Sequence, residues 1–470
     1  MMLDALHLEV PAILDEDKSG LLRLAEVLAE ARHLPWETAL QRTLGLLCRL
    51  NRSALTLLER QRALQSFSEE YRFYSNGYPG TGAPPAAFLQ LCEELALGFK
   101  RLLLQLLQSR HPSPPHLTWC LYMAAHFLTQ ALLRHYQRYQ EPPPGLWRDA
   151  HLLYWLGEQR DCLDEPIAAA FQPTPADSLR GLHQQILLFA LSNPFHLTED
   201  EGPRLFGALA PLAGLARLLP WDEEDDSEGA LVDLGEGRPY WPPQQPLVAS
   251  PHPTLRRLEL GALSIALDEP APLQSEAEHD LLERVRPHWS GRPQRRHPRA
   301  DHGARCHLIV GLAAIHTHLL GPLPLGGNAR MLDASSGGAR LLCDAGPGAE
   351  VPVGQLVLLL SSSGTPTLAL VRWRHLNGEG LHLGLRYLKG LPRPAWLRRT
   401  PTTQPHPAIL QSTPAPGVGW HHGLWLPRGQ FAEDENLWLQ LASVNNQGRF
   451  LLPGANLDTP LVTRHPLRLA

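Results

Sequence analysis

The residues best suited to chemistry lie in two short stretches. Residues 291–305, GRPQRRHPRADHGAR, carry five arginines against one aspartate, a local +4 in a chain whose formal net charge is −5. Arg295 and Arg299 form an Arg-x-x-x-Arg pair with Arg296 beside them, and Pro293 and Pro298 keep this arm out of regular structure. Residues 333–338 read DASSGG, giving Asp333-x-Ser335-x-x-Gly338. A guanidinium grips phosphate oxygens in bidentate fashion, donates to the O6/N7 edge of guanine, and stacks flat on a base. A carboxylate accepts from guanine N–H groups, a hydroxyl donates to or accepts from a phosphate or base edge, and a glycine allows close backbone approach or positive φ.

Each motif has a bland reading. Lys18, Lys100 and Lys389 are the only lysines, so 39 of the 42 basic residues are arginine, a bias that belongs to the genome before it belongs to a site. At that frequency about three Arg-x-x-x-Arg pairs arise by chance, and Arg292 with Arg296 is another. Alone, the arm reads as a solvated basic turn and Asp333–Gly338 as a polar turn ahead of the strand ARLLC. Their joint context raises both. A proline-stiffened basic segment precedes a run of strands, and the Asp-x-Ser-x-x-Gly lies between ARML and another strand.

The elements that must position them come in two kinds. Up to about residue 220 the pattern is helical. In 86–110 apolar residues fall at 88, 91, 92, 95, 99, 102, 103 and 106, the stripe of a helix with one buried face. Residues 116–140 start apolar nearly all round, as a central helix does. SLRGLHQQILLFALSNP (178–194) ends at a proline, and Thr198 three residues before Glu201 has capping-box spacing for the next helix. Residues 222–228 hold six acids and no base, and a proline-rich stretch follows, together reading as a linker. A short strand over Leu258–Leu267 and a short helix over Ser275–Pro287 lead to the arm. Beyond about 303 the pattern turns to strands at 354–360, 367–373 and 381–388, with Asn377-Gly378 marking a hairpin between the last two. The final segment, after a Pro/Thr-rich stretch at 398–407, is strand-rich as well.

The Arg-x-x-x-Arg arm, the Asp-x-Ser-x-x-Gly, VGQLVLL at 353–359 and LGLRYL at 383–388 together resemble the PilZ domain, over about residues 290–395. The resemblance implies a six-stranded antiparallel barrel that binds the bacterial second messenger cyclic di-GMP. By that analogy Arg295 and Arg299 hold phosphate and guanine, Arg296 adds a contact, and Asp333, Ser335 and Gly338 form the facing wall. The interval between the motifs is long for the family. It contains IVGLAAIHTHLLGPLPLGGN (309–328), which reads partly as a helix or an elaborated strand.

The expected fold is therefore multidomain α plus β. It comprises a helical domain over 1–220, an acidic and proline-rich linker with a short strand and helix over 221–289, a PilZ-like barrel over 290–398, and a β-rich segment over 405–470. The net charge of −5 argues against a nucleic-acid polymer as partner. The six cysteines are scattered without a Cys-x-x-Cys, as buried free thiols of a reducing compartment are. No signal peptide and no apolar run of membrane-spanning length is found, so the expected location is cytoplasmic. There is no phosphate-binding Gly-x-x-x-x-Gly-Lys-Ser/Thr loop, no His-Glu-x-x-His, and no assignable catalytic set. The functional expectation is a receptor, not an enzyme, with cyclic di-GMP as ligand, no cofactor and no metal. It relays to a protein partner through the helical domain, and the Asp222–Glu228 run could dock on the unbound arm. The competing expectation is a ligand-blind structural or adaptor protein whose helical region binds a partner.

Overall fold

Apolar residues at helical spacing build the first half of the chain. The computed structural model describes residues 8–13, 23–78, 82, 84–109, 112–167, 177–221, 229–241, 253–268, 275–289, 298–301, 303–321, 328–344, 351–361, 366–415, 419–441 and 447–467. Among the described residues eight α-helices come first: α1 (Leu24–Ala31), α2 (Trp36–Asn51), α3 (Leu57–Asn76), α4 (Ala86–Leu107), α5 (Pro114–Gln137), α6 (Pro144–Gln159), α7 (Leu179–Leu191) and α8 (Glu201–Leu209). Helix α5 is buried on nearly every side from Leu117 to Gln137 and packs on α4, α6 and α7, the central position its all-round apolar sequence calls for. Helix α3 opens with a true capping box, Thr56 with Glu59. Helix α8 begins at Glu201 with Asp200 as N-cap, whose own side chain makes no capping bond, and Glu201 meets Arg284 at 2.5 Å.

A three-stranded sheet follows, β1 (Arg217–Pro220), β2 (Ala230–Asp233) and β3 (Leu255–Glu259), in the order β1-β3-β2. The strand expected over 258–267 therefore stops at Glu259. Residues 261–268 form helix α9 (Gly261–Asp268), whose buried Leu263 and Leu267 stand four apart, the spacing of a helix face. Helix α10 (Glu276–Val285) is capped by Ser275 and Glu278 in a second capping box. These elements cluster with the helices into one compact unit of residues 1–194 and 200–293. The acidic run 222–228 lies outside the described residues.

The second unit covers residues 195–199 and 294–470. Its first sheet holds β4 (Ala300–Asp301), β5 (Arg305–Val310), β6 (Ala329–Ser335), β7 (Gly338–Cys343), β8 (Leu356–Leu360), β9 (Thr367–Asn377) and β10 (Gly380–Tyr387). The order is β4-β6-β5-β8-β9-β10-β7, and β7 pairs back onto β6, closing a six-stranded antiparallel barrel to which β4 is appended. Alternate residues fill the interior, among them Leu308, Met331, Leu341, Val357, Ala369, Val371, Leu383 and Leu385. The β9–β10 hairpin turns through Gly378-Glu379, and Asn377 Oδ1 accepts from the Glu379 amide at 2.9 Å, so the asparagine works from the first corner of the turn. The long interval between the sequence motifs resolves into β5 followed by helix α11 (Leu312–Leu320).

The second sheet contains β11 (Leu391–Arg398), β12 (His406–Ala415), β13 (Gly419–Pro427), β14 (Asn436–Leu441), β15 (Gln447–Leu451), β16 (Leu457–Asp458) and β17 (Val462–Leu467), in the order β15-β14-β11-β12-β13-β17-β16. The barrel thus ends at Tyr387, and residues 391–398, read from sequence as its last part, open the second sheet. The two sheets share an apolar layer in which Leu356, Leu358, Leu368 and Leu370 meet Ile409, Trp425 and Val462. Among the described residues no helix is long and apolar enough to cross a membrane.

Candidate ligand-binding face

Strand β6 decides which way the motif faces. Ala329 and Met331 point into the barrel core, and strict alternation would send Asp333 and Ser335 in after them. The register with β7 shifts between Met331 and Asp333. This bulge absorbs Leu332 and reverses the phase, so Ala334 packs against the core while Asp333 and Ser335 face outward.

Strand β4 then brings the arm to the same place. Ala300 pairs with Ala334 and Asp301 with Asp333, which leaves Arg299 at the edge of β6. Its Nη1 donates to Asp333 Oδ1 at 2.6 Å, so a residue of the arginine motif and a residue of the Asp-x-Ser-x-x-Gly are joined. Arg295 and Arg296, with Arg292, lie outside the described residues. Ser335 Oγ accepts from the Gly337 amide at 3.2 Å and stands 3.3 Å from the Gly338 carbonyl, to which it donates, holding the β6–β7 turn. Gly338 is required for close approach: a Cβ there would collide with the Leu385 carbonyl of β10, and no positive φ is involved.

Cross-strand register extends the surface beyond the residues named from sequence. Asp301, Asp333, Arg340, Gly384 and Trp373 stand directly opposite one another in turn across β4, β6, β7, β10 and β9. At the usual inter-strand spacing this row is about 19 Å long. The indole of Trp373 lies over Gly384, where any side chain would collide with it. Arg340 Nη2 approaches His382 Nδ1 at 3.2 Å, and burial together with the Arg340 charge pushes the His382 pKa down, so His382 receives this contact as a neutral ring. Beside the row, Asp301, Gly303, Arg330 and Leu332 line an open cleft of about 440 Å³. Arg340 could have been found in the sequence, since it stands two residues beyond Gly338 on the same strand face. Trp373 needed the register.

At the far end of the row, residues 195–199 complete this unit. The Phe195 ring lies 4.7 Å from His375, the His196 ring 6.5 Å from Trp373, and Glu199 Oε1 is 3.7 Å from Arg374 Nη1.

The face therefore presents guanidinium groups, two carboxylates, a hydroxyl and an indole on the barrel wall, a set suited to a polar, phosphate-bearing aromatic ligand. Among the described residues no group of three His, Cys, Asp or Glu side chains could hold a metal ion. Comparison with known families adds an observation from the other half of the chain. Residues 23–223 match the family described as cyclic-di-GMP receptor FimW, N-terminal domain. The match covers helices α1 to α8 and strand β1, and it supports a place for this chain in a cyclic-di-GMP receptor family. It ends before the barrel strands, so the FimW match and the barrel motif lie in different stretches of the sequence. No curated protein and no solved structure matches the chain.

Proposed function

We propose that the chain is a non-enzymatic receptor that binds cyclic di-GMP on the outer wall of the barrel, in the manner of a PilZ domain. The observation that carries this reading is the Arg299–Asp333 hydrogen bond, which places the end of the arginine arm on the Asp-x-Ser-x-x-Gly strand. The FimW-type N-terminal match supports the same ligand from a separate part of the sequence. On this reading Arg299, with Arg295 and Arg296, closes over the phosphates, and Asp333 accepts from a guanine edge. Arg340 supplies further positive charge, and Trp373 offers a stacking surface. Ordering the arm costs conformational entropy, which the charge-assisted contacts offset. The helical region would relay the bound state to a protein partner.

Calorimetry on the full chain tests the proposal. Cyclic di-GMP should bind saturably, and Arg299→Ala should weaken it by about tenfold or more, the loss of one charge-assisted pair. Absence of heat with the wild type, or unchanged affinity in the variant, overturns it.

A specific observation favours a second reading. Asp333 is engaged by Arg299, Ser335 by its own turn, and Gly338 by β10, so each motif residue has a structural task without ligand. A ligand-blind adaptor would keep all three for that reason. Partner capture unaffected by cyclic di-GMP, together with a blank calorimetric trace, would establish it.

A further inference from the structure

The seam between the barrel and the second sheet holds a cleft of about 310 Å³ with two cations and no acid in its lining. Arg464 of β17 lies across Gly423 of β13, where a Cβ would collide with the guanidinium. Its Nη1 donates to Asn456 Oδ1 at 3.2 Å and its Nε reaches Gln411 Oε1 at 3.4 Å. Both partners are neutral amide oxygens. Among the described residues no carboxylate pairs with Arg464, whereas Arg32, Arg52, Arg180 and Arg286 each have one. A partly buried guanidinium without a counter-charge is costly, and burial pulls the Arg464 pKa below its ordinary value.

The second cation is Lys389, one of three lysines in a chain that otherwise uses arginine. Its side chain is exposed and, among the described residues, has no ion pair. Its backbone is fixed: the Lys389 carbonyl accepts from Gln411 Nε2 at 3.0 Å and from Thr413 Oγ1 at 2.8 Å. Gln411 is itself held, since its Oε1 accepts from the buried Trp425 indole at 3.0 Å. The cleft is therefore preorganised by a hydrogen-bonded scaffold. The remaining Arg464 donors, the Lys389 ammonium and the Asn456 amide nitrogen belong to residues that line this cleft.

From this geometry we infer that the cleft is a phosphoryl-binding site, separate from the Asp333 face and independent of the proposal made for it. Donors from three residues suit the terminal oxygens of a phosphate. The volume exceeds a bare phosphate and accepts a phosphate carrying a small organic body, with Leu388 and Leu457 as apolar wall.

The test uses the full chain, with inorganic phosphate and 5′-GMP as probes and sodium acetate at matched ionic strength as control. Both phosphates should bind saturably in calorimetry, 5′-GMP more tightly, with acetate inert. Lys389→Gln and Arg464→Gln should each weaken phosphate binding by about tenfold, one lost charge-assisted contact apiece, while Arg299→Ala leaves it unchanged. If circular dichroism shows that Arg464→Gln fails to fold, the exposed Lys389→Gln decides the matter. No saturable binding of either probe, equal binding of acetate, unchanged affinity in Lys389→Gln, or loss in Arg299→Ala overturns the inference. The last outcome would place the anion on the Asp333 face instead.

Discussion

Arg299 Nη1 donates to Asp333 Oδ1 at 2.6 Å, with 34% and 19% of the two side chains exposed. The pair is accessible, so water and ligand can both compete for it. It also occupies the hydrogen-bonding capacity that a guanine or a phosphate would use. On the proposed reading a ligand must either displace Arg299 from Asp333 or be gripped by the pair together. In both cases the contact is a latch whose net contribution to folding is small and whose contribution to recognition is large.

That division is measurable. Asp333→Asn should change folding stability by no more than about 1 kcal/mol, as for other partly exposed ion pairs. The same variant should lose most of its affinity for cyclic di-GMP. Urea denaturation read beside calorimetry separates the two effects, and a large stability loss with affinity intact would contradict the latch. Wild-type affinity should also fall as salt rises, because the contacts are charge-based.

Gly338 behaves in the opposite way. Its missing Cβ lets β7 lie against the Leu385 carbonyl of β10 in the closed barrel. Gly338→Ala should therefore cost about 2 kcal/mol through overpacking and lower the midpoint of unfolding. Thermal denaturation of the ligand-free chain is sufficient to see it. An unchanged midpoint would mean that the glycine serves ligand approach alone.

Much of this architecture was written in local patterns. The barrel strands announce themselves by alternation, and α5 by its unbroken apolar surface. What local patterns could not convey was phase and partnership. The bulge at Leu332 reverses the facing of Asp333 and Ser335, and nothing in DASSGG encodes it. Residues 391–398, LPRPAWLR, carry two prolines, which a strand paired on both sides does not tolerate. Yet β14 pairs with β11 only from Ala395 to Arg398, so Pro392 and Pro394 sit where β11 lacks that neighbour and their missing N–H groups cost little. The arginine arm was legible as charge, and its docking of Arg299 on Asp333 depended on the two-residue β4, too short to read in advance.

Acid should weaken the helical unit through buried histidines. His151 Nε2 faces the Arg238 carbonyl at 2.8 Å and so carries the proton, which makes its Nδ1 the acceptor for His183 Nε2 at 2.9 Å. Both rings are then neutral. Burial pushes the His151 pKa down to about 4 and the His126 pKa to about 3, against an ordinary 6.5, and drives His183 well below that value too. The unfolded chain binds these protons more readily than the folded one. The stability is thus fully present above about pH 6.5 and is lost as pH falls through 4 toward 3. Urea midpoints between pH 7.5 and 4 should decline. His126→Phe, which removes a ring with both nitrogens buried and unpaired, should make that decline shallower. A flat profile in the wild type would exclude the mechanism.

The segment 195–199 lies in sequence between α7 and α8 yet clusters with the barrel. Its Phe195 and His196 rings approach His375 and Trp373, and Glu199 approaches Arg374. Trp373 is also the last member of the row that begins at Asp301. On the proposed reading, a ligand seated along that row would restrict the indole and, with it, the 195–199 peptide whose His196 ring approaches it. Hydrogen exchange read by mass spectrometry should show slower exchange across 195–199 when cyclic di-GMP is bound. Trp373→Ala should abolish that protection even at ligand concentrations that restore occupancy. Unaltered exchange in a saturated wild-type sample would mean that occupancy of the barrel wall is not transmitted along this route.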